Sequence, residues 1–336
     1  MPKKTTKIPR KKPKKTKKKK KATKKKTKKE TQKKTKQLGL PNEILSLLPL
    51  RSPPELKLRF APAGRPIVYK GSVEDAPAFI RNELSLDAYE VQQVRKITLN
   101  EERSRILGSN ANKSDIVLSI HAPYAVNLLS PEDEKIRASI DRLLATAQIA
   151  KWAGAKIIVF HPGYYGSIDP NATVDIVIEN LGILMDVLRE RKIDVLIGLE
   201  TMGKLSQFGS LNELIEVVKV FPNARIVFDV AHIHAREKGI LMDYNSYDKI
   251  FNIVESELGS KHIKNMHIHF TEVEYGDKGE IRHLVIGSGP GPALDPLLEW
   301  LIGNNVNATI VCESPILEAD AIRIKHRAIE ILRKKF

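Results

Sequence analysis

The chain has 336 residues, 42% of them hydrophobic, with 56 Lys and Arg against 40 Asp and Glu. Residues 1–36 hold 21 of those basic side chains and one acid, Glu30, so the other 300 residues sit at −4 while the whole chain carries +16. The single cysteine, Cys312, excludes a disulfide framework and a thiolate zinc site, and no apolar run approaches the roughly 18 residues of a membrane span.

Residues 1–37 read as a disordered basic tail, because Lys17 to Lys21 form an unbroken run and little apolar surface is present to bury. A polycation of this kind is drawn to any polyanion through counterion release, and nucleic acid is the first expectation. The alternative is a solvated tail that aids solubility. Residues 38–55 read as a linker.

From residue 56 to 336, short β-rich runs alternate with longer segments of helical period. Strands are expected at 56–60, 88–92, 116–121, 156–161, 194–200, 225–229, 263–269 and 308–313. Helices are expected at 73–84, 101–109, 131–152, 174–191, 211–220, 244–258, 294–302 and 318–335. Eight strand-then-helix units in one domain match an α/β fold of the (β/α)8 TIM-barrel type, with a doubly wound sheet as the rival.

The last six strands favour the barrel. They end at His121, His161, Glu200, Asp229, His269 and Glu313, spaced 29 to 44 residues apart. A barrel brings all C-terminal strand ends to one face, whereas an open sheet strings them along an edge. One such residue alone is more often structural or solvated. Six together, imidazoles and carboxylates without thiolate, suit zinc or manganese. His232 follows Asp229 by three positions, just past a strand end where the chain is expected to turn into a loop, so both side chains can face one site. His283 lies in the Gly-rich and charged segment 271–290, expected to be a long functional or mobile loop. His234, His262 and His326 read as structural or exposed.

The strings SIHAPYAVNLLS (119–130), VFHPGYYG (159–166), GLETMGK (198–204), FDVAHIHA (228–235), RHLVIGSGPG (282–291) and CESP (312–315) resemble endonuclease IV, the metal-dependent apurinic/apyrimidinic endonuclease family. The likeness runs from about Leu56 to the C-terminus and is nearer to divergent, archaeal-type members. It implies a barrel carrying two or three Zn2+ ions, with Mn2+ as an alternative, and hydrolysis of the phosphodiester on the 5′ side of an abasic site. Carried over, His121 and His161 would hold one ion and Glu200 would bridge it to a second, completed by Asp229, Glu313 and a strand-seven His. His232 and His283 would hold a third. Glu200 and Glu313 would be the catalytic carboxylates.

Two positions depart from the family pattern. MHIHFT offers either His267 or His269 as the strand-seven ligand, and His269 is preferred because it lies nearer the C-terminal strand end. The family's Asp-Arg-His stands here as Ile281-Arg282-His283, so the third ion loses a carboxylate that Glu280 or Glu274 would have to supply. Tyr124 reads either as a wedge into DNA or as packing at the rim, and Arg65 and Lys70 as phosphate contacts. The expected partner is double-stranded DNA with abasic sites, bound by a monomer in the cytoplasm near the nucleoid. A xylose-isomerase-like sugar isomerase or epimerase using Mn or Mg is the rival, since Glu200, Asp229, His269 and Glu313 alone would serve it. A noncatalytic binder of abasic DNA is the third reading.

Overall fold

A computed structural model describes residues 39–335; the basic tail, with all 21 of its Lys and Arg, lies outside the described residues. In chain order the elements begin with α1 (Asn42–Leu47), β1 (Leu58–Pro62), α2 (Ala76–Asn82), β2 (Ala88–Gln92), α3 (Glu101–Lys113), β3 (Val117–His121) and α4 (Asp133–Ala153). They continue through β4 (Ile157–Phe160), β5 (Gly163–Tyr164), α5 (Thr173–Glu190), β6 (Leu196–Glu200), β7 (Gln207–Phe208), α6 (Leu211–Val220), β8 (Ala224–Asp229) and α7 (Val230–Arg236). The chain closes with α8 (Tyr244–Leu258), α9 (Lys261–Lys264), β9 (Asn265–Phe270), β10 (Glu272–Gly276), β11 (Gly279–Leu284), α10 (Leu294–Gly303), β12 (Asn307–Cys312) and α11 (Glu318–Lys335).

Eight strands pair in parallel in the order β1, β12, β9, β8, β6, β4, β3, β2. The circle closes between the first and the last: Ala63 bridges Glu90, and the Gly64 N–H donates to the Glu90 carbonyl at 2.9 Å. This is the expected TIM barrel, and the eight expected strands lie within two residues of these bounds. Each strand is buried on both faces, which is why each reads as a nearly continuous apolar run.

Alternation divides every strand between two environments. Tyr89, Val91, Leu118, Ile120, Ile158, Phe160, Ile197 and Leu199 face outward into the main core beneath the helices. The inward set is smaller and more polar. Ala61, Ala88 and Val311 make one cluster and Ile157, Val159 and Val227 another, while Glu90, Ser119, His267 and His269 are buried polar side chains on the intervening inward positions.

The helices are fixed at their ends by local chemistry. Ser210 and Glu213 form a reciprocal capping box on α6, Asp243 and Ser246 do the same on α8, and Gly154 at φ 66° ends α4 in the left-handed region.

Several expectations need correction. The linker of residues 38–55 contains α1, whose Ile44 is buried and whose Glu43 pairs with Arg323 on α11, so part of it is anchored to the barrel. Segment 271–290 is largely an antiparallel hairpin of β10 and β11. His232 stands not in a loop but in the first turn of α7, capped by the Asp229 side chain. Helix α3 also runs to Lys113 rather than stopping at 109.

Candidate metal centre

The C-terminal strand ends converge as the barrel requires. Glu200, at the end of β6, is the hub: its Oε2 lies 3.1 Å from His121 Nε2 and 3.3 Å from His161 Nε2, and its Oε1 lies 3.3 Å from His232 Nδ1. His269 Nδ1 is 3.6 Å from Glu200 Oε2 and 3.4 Å from Glu313 Oε1. His283 Nδ1 is 3.8 Å from Glu313 Oε2.

These atoms fall into overlapping groups whose members lie within 4.8 Å of one another: His121, His161 and Glu200; Glu200, Asp229, His269 and Glu313; and Asp229, His232 and His283. Glu200 joins the first two groups and Asp229 the last two. The eight residues singled out in the sequence are thus brought together.

The nitrogens that His121 and His232 turn toward the cluster are set from behind. His121 Nδ1 is paired with the Ala122 carbonyl at 2.8 Å and His232 Nδ1 with the Thr201 carbonyl at 2.8 Å, so Nε2 of each is left free for the site. Asp229 accepts the His232 N–H on Oδ1 at 2.8 Å, and this N-cap leaves Oδ2 to face the cluster.

Four buried polar atoms here have no hydrogen-bond partner among the described residues: Glu200 Oε1, Asp229 Oδ2, His269 Nδ1 and His283 Nε2. Buried polar atoms are almost always paired, so a set of unpaired ones converging on one mouth calls for a cation. The donors, neutral imidazole and carboxylate, fit zinc or manganese.

Charge balance within the residues themselves leads to the same conclusion. Burial alone would raise the Glu200 pKa, but His161, His269 and His121 together hold it well below the usual carboxylate range. Burial pushes Asp229 up to about 6 despite His232. Burial opposes charge on His232 and His269, yet the surrounding carboxylates raise both well above the ordinary imidazole value. These acids favour the protonated forms of His232 and His269, a charge-balancing role that a divalent cation would take over.

His269 joins Glu200, Asp229 and Glu313, whereas His267 lies deeper, with its Nε2 2.9 Å from Glu90 Oε2. On the hairpin, Tyr275 pairs with Glu280 and Glu274 with Arg282, which leaves Ile281 as the extra residue of a bulge. The bulge shifts the alternation, so Glu280 and His283 share a face: Glu280 Oε2 is 3.3 Å from His232 Nε2 and Oε1 is 3.6 Å from His283 Nε2. Burial would raise Glu280, but His232 and His283 bring it down to about 2. Gly203 is what allows the approach, since a Cβ there would meet Glu280 Cβ at 2.8 Å and His232 Cδ2 at 3.0 Å. Glu274 is instead engaged by Arg282 on the exposed side of the hairpin.

The expected DNA contacts lie outside this ligand set. Tyr124 is 50% exposed, with its ring 5.3 Å from that of His161 and 5.8 Å from that of His121, so it roofs the cluster. Arg65 and Lys70 are exposed and are bonded to the carbonyls of Gly71 and Ile67. Tyr165 is a brace, its hydroxyl bonded to Glu213 and Arg236. Sequence reasoning missed Glu90. The signal was an acid in the middle of AYEVQ, a strand otherwise buried on both faces.

A parallel eight-stranded barrel with clustered imidazoles and carboxylates at its C-terminal mouth defines a TIM-barrel protein with a candidate metal centre. The chain belongs to the AP endonuclease 2 family, described as a xylose isomerase-like TIM barrel, which it matches over residues 82–335. An uncharacterized protein of Methanocaldococcus jannaschii is 36% identical over 273 residues, covering 80% of this chain and 96% of that protein. A probable endonuclease 4 of Malacoplasma penetrans is 26% identical over 243 residues, 70% of this chain and 77% of its own length. Endonuclease IV from Thermus thermophilus superposes with a TM-score of 0.62 at 16% identity, over 81% of this chain and 98% of that one. A D-tagatose 3-epimerase-like protein superposes at 0.59 with 22% identity, over 74% and 91%. These two likenesses bear on the fold alone. Among the described residues no helix is long and apolar enough to cross a membrane.

Proposed function

We propose that this protein is a DNA-repair endonuclease that hydrolyses the phosphodiester 5′ to abasic sites in duplex DNA. The observation that carries the reading is the number of imidazoles: His121 and His161 group with Glu200, and His232 and His283 with Asp229, beyond the four ligands a sugar isomerase needs. Its resemblance to endonuclease 4 sequences supports the same reaction class. The archaeal-type branch is favoured by the higher identity with the Methanocaldococcus jannaschii protein.

In this reading His121, His161 and Glu200 would hold one ion, Glu200, Asp229, His269 and Glu313 a second, and His232, His283 and Glu280 the third, with Glu280 in the role of the missing aspartate. Bound zinc ions supply Lewis-acid neutralisation of the phosphodiester oxygens and acidify water. The protein's own groups do the rest. The Glu313 side chain is 14% exposed, against 1% for Glu200 and 0% for Asp229, which favours it as the carboxylate that orients the attacking water and accepts its proton. Tyr124 fills the space left when the baseless nucleotide swings out, which costs less than extruding a paired base. Arg65, Lys70 and the tail hold phosphates without reading sequence.

The deciding experiment is incision of a duplex carrying one abasic site, after chelation and then zinc or manganese add-back. Cleavage 5′ to the site that is lost with chelator and restored by metal supports the reading. If a folded, metal-loaded protein makes no cut, sugar isomerisation becomes the leading reading, since Glu200, Asp229, His269 and Glu313 form a four-ligand group by themselves. Manganese-dependent ketose epimerisation would then be measured.

A further inference from the structure

Beneath the metal cluster the barrel interior holds a second, drier polar group. Glu90 on β2 is fully buried, with Ser119 3%, His267 8% and His269 0% exposed around it. Its Oε2 accepts from Ser119 Oγ at 2.9 Å and from His267 Nε2 at 2.9 Å, and its Oε1 accepts from Gln92 Nε2 at 3.2 Å. His269 Nε2 lies 3.2 Å from Oε1 and 3.3 Å from Oε2.

Two features separate this carboxylate from those above it. The first is saturation: four side-chain donors surround its two oxygens, whereas Glu200 and Asp229 each keep a buried oxygen with no partner. Glu90, His267 and His269 also bring ligand atoms within 4.8 Å of one another, but a carboxylate already filled by donors orients its neighbours and leaves little capacity for an ion of its own. The second is the direction it imposes on His269. With Nε2–H committed to Glu90, the bare nitrogen is Nδ1, which is the unpartnered atom facing Glu200 and Glu313. His121 and His232 are set in the same way by backbone carbonyls, but only His269 is set by a charge.

We infer that Glu90, clamped by Ser119 and His267, is a positioning residue for the metal centre: it fixes the tautomer and orientation of His269 and raises the basicity of Nδ1. The inference rests on the metal-centre reading but not on the choice between nuclease and isomerase. An anionic partner makes an imidazole a stronger donor, and such partners typically change metal affinity by ten- to a hundredfold. Gln at this position keeps the shape but loses the charge, and its amide can turn an N–H toward His269, which favours the wrong tautomer.

The test compares wild type with Glu90→Gln by zinc titration against a competing chelator, by bound-metal analysis at saturation and by the absorption spectrum of the cobalt-substituted proteins. The expected result is affinity weakened by about ten- to a hundredfold, the same number of ions at saturation and a shifted cobalt spectrum. Wild-type affinity with an unshifted spectrum overturns the inference. Saturation one ion short also overturns it, because Glu90 would then be a ligand itself. If Glu90→Gln does not fold, Ser119→Ala removes one clamp donor and no ligand; it must shift the cobalt spectrum in the same direction, and an unshifted spectrum refutes the clamp. Wild-type protein that takes up no metal rejects the metal centre itself, an outcome distinct from any difference between the variants.

Discussion

Glu280 Oε2 lies 3.3 Å from His232 Nε2 although the two residues belong to different elements, the bulged strand β11 and the first turn of α7. A carboxylate therefore stands beside the third imidazole pair even though Ile281 occupies the position where the resembled family has aspartate. Ile281 is 57% exposed. Glu280→Gln is expected to lower the zinc content at saturation by one ion per chain, measured by elemental analysis, while Ile281→Asp on that background restores nothing. Restoration by Ile281→Asp would place the third ligand at the wrong residue.

Glu200 is shared by two ligand groups and is 1% exposed. Glu200→Gln keeps the side chain's size and removes the charge that balances His121 and His161. Incision should fall by on the order of 10²–10³, the usual effect of removing one preorganised electrostatic group. Wild-type incision by this variant, measured with saturating metal, would remove Glu200 from the mechanism.

The pH dependence follows from the imidazoles. His232 and His269 are raised well above their ordinary value by neighbouring carboxylates, against the opposing effect of burial. A raised imidazole stabilises the fold below its unfolded pKa, near 6.5, and loses that contribution as pH rises through the folded value. Bound metal replaces the proton and removes the loss. The melting temperatures of zinc-loaded and chelated protein should therefore diverge as pH rises from about 6 to about 8, and zinc binding at neutral pH should release protons, about one for each raised histidine. Thermal melts and calorimetry in buffers of different ionisation enthalpy check both.

Tyr124 is half exposed and packs on the rings of His121 and His161. Tyr124→Ala should change stability by no more than roughly 0.5 kcal/mol, as at other surface positions. Its effect should appear as about a tenfold weaker affinity for abasic duplex, the scale of one lost aromatic stacking contact. Equal affinity in a direct binding titration would leave Tyr124 a rim residue.

A chain starting at residue 38 keeps α1 and its Glu43 pairing with Arg323, so the barrel should retain its stability. It should cut at low salt but bind DNA less tightly, with a shallower dependence of log affinity on log salt concentration. An unchanged slope would take the 21 basic residues of the tail out of the DNA footprint.

The repeat of strand and helix, and the chemistry at strand ends, were legible in the sequence because a barrel writes both locally. Each strand is a short apolar run, and His121, Glu200 and Asp229 close theirs within a residue of the expected position. The α7 turn was hidden in FDVAHIHA, where the Asp229 cap and the strand end coincide. Other features depend on register across long separations. Glu90 meets His267 across 177 positions, and nothing in AYEVQ states which inward neighbour it will find once the barrel has closed. Glu280 and Glu274 looked equivalent as replacements for the absent aspartate, because strict alternation puts every second residue of β11 on one face. The bulge at Ile281 breaks that alternation, and only the paired hairpin docked against Gly203 decides that Glu280 turns inward beside His283 while Glu274 stays with Arg282.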